Sequence, residues 1–392
     1  MKRTKLVLSM VLAAATMMGG RLAHAQTDAD EVDDSSSSAS SSSGKKPLPW
    51  RGTQLTFDQS ATTQTVGIGE DYQSSNPTYE WSFRFAPRYV IYENGTDTIS
   101  AAAAFNVYHE FTNSDSTTYE NETLLGPTTL NLQYGRPLYK EGEWVLSLSV
   151  APLRLTFPTD KASRNSGHIL GLGGSVGVNQ SIPINGRGAS TFNAVRVGTQ
   201  VIYNHPFTKA TNAVNPDLKR YRQDLGGRTF ESDVLRSGML PNHQLNFAFT
   251  AGLNITPKLS FNGSYYIMQT WAYRPPGACV TPQGASTGSI CFPSNEEATN
   301  FRVATWLMAS VDYDLFDEVS LSLGYYNQAN QIGPDGQRRS PFWSPYARFY
   351  FSVTANLDAI YETITGRNEA SVTAKPNAEG VQQAKASLLA FD

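Results

Sequence analysis

Alternating strand-like segments in this chain are joined by links that are short and long by turns, and few folds can use that rhythm. In 245–255, Leu245, Phe247, Phe249, Ala251, Leu253 and Ile255 share one phase, while Asn246, Ala248, Thr250, Gly252 and Asn254 share the other. Segments 319–325 and 347–357 alternate as cleanly, and 79–91, 99–111, 128–138, 144–157, 169–179, 192–204, 259–273 and 301–315 do so with interruptions. Side chains of a strand point to opposite faces with period two, so each segment is a strand with one apolar and one small or polar face. In 144–157 the phase flips around Pro152, which predicts a bulge there. Links 93–97, with the hairpin dipeptide Asn94-Gly95, 140–143, 183–188, 256–258 and 316–318 are brief. Between them lie the long polar links 112–127, 158–168, 206–241, 274–300 and 328–342.

A half-buried soluble sheet explains one such strand but not an apolar face on nearly all of them, nor the alternation of link lengths. Both are expected of an antiparallel transmembrane β-barrel with short periplasmic turns and long outer loops. The first clear segment, 79–91, runs towards a short turn, so a strand must precede it. Residues 53–69 supply that strand through Leu55, Phe57, Val66 and Ile68, although their alternation is the weakest of the set. The count becomes about twelve strands, with both chain ends in the periplasm. Tyr79, Trp81, Tyr89, Tyr92, Phe111, Trp144, Tyr203, Trp271, Tyr273 and Tyr313 gather near strand ends, where barrels place aromatic girdles at the two membrane–water interfaces.

The N-terminus reads as a secretory signal over residues 1–25. Lys2, Arg3 and Lys5 precede the apolar run 6–18, and Ala23-His24-Ala25 offers a cleavage site. That run is too short to span a bilayer as a helix, which takes about 20 residues. Acidic residues from Asp28 to Asp34 and a serine run from Ser35 to Ser43 make 26–50 a solvated leader. The formal net charge of −3 leaves no basic excess for nucleic acid. Cys279 and Cys291, the chain's two cysteines, share one Pro/Gly/Ser-rich stretch, and an oxidising compartment favours a local disulfide between them.

Signal, alternation and loop rhythm together resemble bacterial outer-membrane porin-like β-barrels over about residues 50–361. The resemblance is architectural and has no diagnostic motif. It implies contact with outer-membrane lipid, assembly by the barrel-insertion machinery through the last strand, 347 towards 361, and passage of small solutes. Residues 362–392 depart from that pattern as a polar, periplasmic tail with a short helix expected near 379–389.

No Ser–His or paired-acid constellation, phosphate loop or metal-ligand spacing is present, so neither catalysis nor a cofactor is expected. His168, His205 and His243 fall in outward phase on consecutive strands and could gather at the outer rim. They suit an interfacial girdle or a metal or pH-sensing site. The inward phase carries Arg84, Arg196 and Arg348 near mid-height, Glu80, Glu110 and Arg302 above them, and Asp312 and Asp314 below. Inward charges set ion preference in pores, and the arginines predict a weak preference for anions unless they are locked in salt bridges. One inward sector is small, with Ala102, Ala104, Gly171, Gly173, Ser175, Gly177, Ala248 and Gly252. Another is bulky, with Tyr266, Met268, Trp306, Met308 and Tyr350. The expected function is a passive channel for small solutes. A non-conducting barrel acting through its loops and a transporter of apolar compounds are the alternatives.

Overall fold

The computed structural model describes residues 47–63, 78–112, 121–141, 144–184, 194–211, 219–223, 229–233, 239–274, 278–280, 290–292, 300–332, 338–344 and 347–365. Its alternating segments form one antiparallel sheet that closes on itself. The wall strands are β1 (Gln54–Thr62), β2 (Tyr79–Ala86, resumed after Pro87 as Arg88–Glu93), β3 (Thr98–Glu110), β4 (Thr128–Glu141), β5 (Trp144–Phe157) and β6 (His168–Pro183). They continue as β7 (Ala194–Thr208), β8 (Pro241–Asn254), β9 (Leu259–Ala272), β10 (Phe301–Phe316), β11 (Val319–Asn330) and β12 (Arg348–Asn356). Closure comes from β1, which pairs with β2 on one side and with β12 on the other, Gln54 facing Asn356 and Thr62 facing Arg348. The ring has twelve strands, the number that the loop rhythm demands.

Closure satisfies the ladder hydrogen bonds without leaving a sheet edge, a necessity for strands in hydrocarbon. The two faces confirm that surrounding. Phe85, Phe105, Leu130, Leu153, Leu172, Val197, Phe249, Leu323 and Phe351 are exposed on the outside. The inward Asn106, Asn131, Gln133, Ser149, Asn262, Ser310 and Ser352 are buried. An exposed apolar band around a polar interior is the inverse of a water-soluble protein, and it makes this a transmembrane barrel.

Local chemistry sets the connections. At the β2–β3 turn Gly95 takes φ +83°, and the Asn94 side chain accepts from the backbone of Thr96 (2.9 Å) and Asp97 (2.6 Å). Tyr134 Oη donates to Asp97 (2.6 Å), and this bond, helped by Asn94 and Arg136, holds the Asp97 carboxyl below its ordinary range. At the β8–β9 turn Thr256 Oγ1 accepts from the backbone of Lys258 and Leu259. The β5 ladder shifts register between Ala151 and Arg154, so the bulge falls at Pro152 as its broken phase requires.

Three details differ from the sequence reading. The first strand is confined to Gln54–Thr62, and residues 64–69 lie outside those described. The last strand ends at Asn356 instead of running on towards Tyr361, because the chain turns there into helix α2 (Leu357–Ile364). That turn is held from below: Leu357 N donates to Thr53 O (3.0 Å) and Gly52 N to the Asp358 carboxylate (3.0 Å), while Trp50 meets Tyr361 edge to face. The β5–β6 link also forms a short helix, α1 (Lys161–Asn165), where Asp160 accepts from Ser163 N at 2.6 Å. The signal segment, residues 26–46 of the leader and the expected helix near 379–389 lie outside the described residues, whereas 47–50, expected as solvated leader, pack onto the barrel end, with Leu48 buried and Trp50 against Tyr361.

Candidate functional site: the inner wall

Inward side chains of β9 to β12 form a packed sector. Tyr266, Trp306, Tyr326 and Tyr350 come one from each of four consecutive strands, and each ring lies 6.0 Å from the next. Ala248, Met268 and Met308 complete the cluster, at whose centre Trp306 is 0 % exposed. Gly324 makes room for it, since a Cβ there would overlap the Tyr350 ring. The sequence phase identifies five of these bulky residues. It omits Tyr326, which continues the 319–325 alternation by one step, β11 being longer than the segment first delimited.

Polar groups flank this sector in two networks. Arg348 is paired with Glu80, and its guanidinium also donates to Ser60 Oγ (3.4 Å). Ser352 Oγ donates to Asp58 (3.0 Å). On the other flank Asp312 accepts from Asn262 (2.6 Å) and Ser310 (2.9 Å). Arg348 and Glu80, expected at different heights, meet because the diagonal register across β1 sets Ser60 opposite both Glu80 and Tyr350. Strand tilt carries lateral neighbours past one another in a barrel, so height along a single strand does not predict such partners.

The remaining expected lining residues divide by exposure. Arg84 on β2 and Arg196 on β7 are half-buried, and Arg196 donates to Asn254 Oδ1 (3.0 Å). Arg302 at the start of β10 is exposed, whereas Glu110 is buried and accepts from Thr112 Oγ1 (2.5 Å). Two arginines absent from the sequence expectation also face inward. Arg88 donates to Ser100 Oγ (3.3 Å), and Arg154 pairs across the sheet with Asn131 and Gly173. Both follow a proline that breaks the alternation, Pro87 and Pro152, and so escape a simple phase count. Around them the wall is thin. A Cβ at Gly171 would lie 3.0 Å from the Thr156 side chain, and one at Gly177 would lie 3.0 Å from Ser149 Oγ. Neighbouring side chains therefore lie flat across the glycines.

Of the outward histidines, the structure brings together two. The rings of His205 and His243 lie 4.9 Å apart, with His205 Nδ1 donating to Asn242 O and Tyr203 Oη bonded to His243 Nδ1. His168 pairs with Thr208, farther along β7. Among the described residues no group of three or more His, Cys, Asp or Glu is placed to hold a metal ion. The two His rings join Phe207, Trp271 and Phe301 in an aromatic belt at the long-loop end. Cys279 and Cys291 occupy directly opposed backbone positions in a small hairpin, Ala278–Val280 with Ile290–Phe292.

No family model and no curated protein matches the chain. Among solved structures it is similar to an outer-membrane channel from Pseudomonas putida F1, with a TM-score of 0.43 and 10 % identity over 83 % of this chain and 99 % of that one. It is also similar to the NanC porin, with a TM-score of 0.32 and 6 % identity over 78 % of this chain and 98 % of that one. The monoaromatic hydrocarbon channel TodX gives 0.31 and 10 % identity over 79 % and 89 %.

Proposed function

We propose that the chain forms a narrow, non-catalytic outer-membrane channel for small solutes, with a weak preference for anions. One observation carries this reading. Inward arginines keep contact with solvent, Arg84, Arg88, Arg154 and Arg196 in part and Arg302 as an exposed residue, while Asp58, Glu110 and Asp312 are 8, 2 and 4 % exposed. Glu80 is engaged by Arg348 and Asp312 offsets Arg196 in part, while Asp314, part-exposed, lies close to the β10–β11 turn. Surplus positive charge in a low-dielectric passage concentrates anions and repels cations. The glycine- and serine-rich side, β5 to β7, is where a passage meets least bulk. The aromatic ladder is closed over by its own rings, so it fills the opposite side and has little face for an apolar solute. Single-channel recording in planar bilayers tests the reading; folded protein that gives no openings at any voltage overturns it.

The long-loop end is taken to face the cell exterior and both tails the periplasm, in keeping with the short-turn end where β1 starts and β12 stops. In the same reading β12 is the strand offered to the assembly machinery. Cys279 and Cys291 are proposed to form a disulfide that tethers the outer hairpin, a closure that restricts the unfolded chain by about 3 kcal/mol. Alkylation before and after reduction tests the disulfide, and two thiols titrating without reductant would remove it.

A further inference from the structure

Residues 340–344 of the β11–β12 link do not stand clear of the barrel but lie down over its outside. Asn327 projects outward from β11, towards the membrane, where an amide side chain without partners is costly. It is nevertheless 0 % exposed. Its Nδ2 donates to Pro341 O (2.9 Å) and Ser340 O (3.3 Å), and its Oδ1 accepts from Ser344 Oγ (2.6 Å). Two residues lower, Tyr325 Oη donates to Phe342 O (2.6 Å), and Trp343 lies parallel to the Tyr325 ring at 6.3 Å. Tyr325 in turn meets Phe349 of β12 at 5.4 Å. Residues 340–344 are thus clamped to the outer wall by side chains that point at lipid.

Phe342 is 64 % exposed, and Trp343 and Phe349 are exposed beside it. With Tyr325 they make an aromatic slab across β11 and β12. A tilted strand climbs about 25 Å in ten residues. From Val319, Tyr325 and Asn327 therefore stand about 15 and 20 Å up, in the upper part of the apolar band, just below the level of an aromatic belt. The cations Arg338 and Arg339 come next in the chain on the side away from the short turns. Ile332 bridges to Arg338 and Arg339 N donates to Gln331 O (3.2 Å), so this pair stands at the mouth of β11; Arg338 is exposed and Arg339 half-buried.

An exposed aromatic slab at acyl depth with guanidinium groups at headgroup height matches an amphiphile whose phosphate lies just above its chains. We propose that residues 338–344, with Tyr325 and Phe349, form a binding site for a phosphorylated, multiply acylated saccharolipid of the outer leaflet. Phe342 and Trp343 pack along its chains, and Arg338 and Arg339 meet its phosphate. The site is independent of conductance but rests on the long-loop end facing the exterior.

Native mass spectrometry of the full-length protein, released from neutral detergent with lipid A, with enzymatically dephosphorylated lipid A or with phosphatidylethanolamine, tests it. The wild-type protein should hold lipid A at least tenfold more strongly than either other lipid. The R338Q/R339Q variant should fall to the level of the dephosphorylated lipid, and F342A/W343A should lower retention of every acylated probe. Equal retention of phosphorylated and dephosphorylated lipid A by the wild type overturns the proposal without relying on any variant. Retention unchanged in a folded R338Q/R339Q overturns it as well. Protease accessibility of 206–241 in intact cells reports orientation separately, so an inverted barrel is distinguishable from a failed lipid site.

Discussion

On β9 to β12 the inward rows carry rings and thioethers that close over one another, whereas on β5 to β7 the same rows carry Gly, Ser, Asn and arginines in contact with solvent. Both sectors obey the same period-two phase and the same outward apolar face, so lipid treats them alike. They differ in what closure costs. Rings drawn from four strands lock the register of the wall through interdigitated volume. Glycines let side chains lie flat and leave the interior thin. The four-strand aromatic sector therefore holds the barrel together, and the three-strand sector is the side on which the proposed passage runs.

The largest effect is expected from a branched side chain in the packed sector. Gly324→Val drives a Cβ into the place of the Tyr350 ring. Overpacking of this kind costs about 1–3 kcal/mol where neighbours yield, and more where a ring held between strands cannot. Assembly should fail, seen as loss of the heat-modifiable band on gels. Full assembly would break the claim that this sector is tightly filled.

Trp306→Ala should assemble but lose about 3–5 kcal/mol in urea unfolding from lipid vesicles. An unchanged midpoint would mean that the ring is not packed. Arg348→Gln, which strands Glu80 beside Ser60, should cost roughly 3 kcal/mol, and E80Q/R348Q should recover most of it. Arg196→Gln in the thin sector should cost under about 1 kcal/mol, because a half-exposed group gains little from its partner. Equal losses for the two arginines would erase the contrast between the sectors. The smallest structural effect is expected from Ser175→Trp, which adds bulk to the thin side. Stability should hardly move while conductance falls at least roughly twofold.

Much of this division is legible in the sequence, and the limits are physical. Phase alone places Tyr266, Trp306 and Tyr350 inside and Phe249 and Leu323 outside, because side-chain direction in a strand is local. The broken phase at Pro152 marks a bulge for the same reason. Partners across the closure are not local. The Arg348–Glu80 pair depends on the stagger of β1 between β2 and β12, which no single segment encodes. Arg88 and Arg154 are hidden by the prolines before them. The outward Asn327, polar in a lipid-facing phase, is the one residue whose misfit foretells the folded-back link, and its meaning depends on residues 340–344 coming down to meet it. The helix after Asn356 is likewise fixed by tertiary bonds to Gly52 and Thr53, at the far end of the chain.

The central claim is that the part-exposed inward arginines of the wall, Arg84 on β2 with Arg154 and Arg196 in the thin sector, govern what crosses the barrel. The most direct test is the reversal potential of the purified protein in a planar bilayer across an about tenfold KCl gradient, for the wild type and for R84Q/R154Q/R196Q. A wild-type potential displaced towards chloride, moving to or past neutrality in the triple variant, is the predicted result. A cation-selective wild type, or a potential that the triple variant leaves in place, would contradict the account.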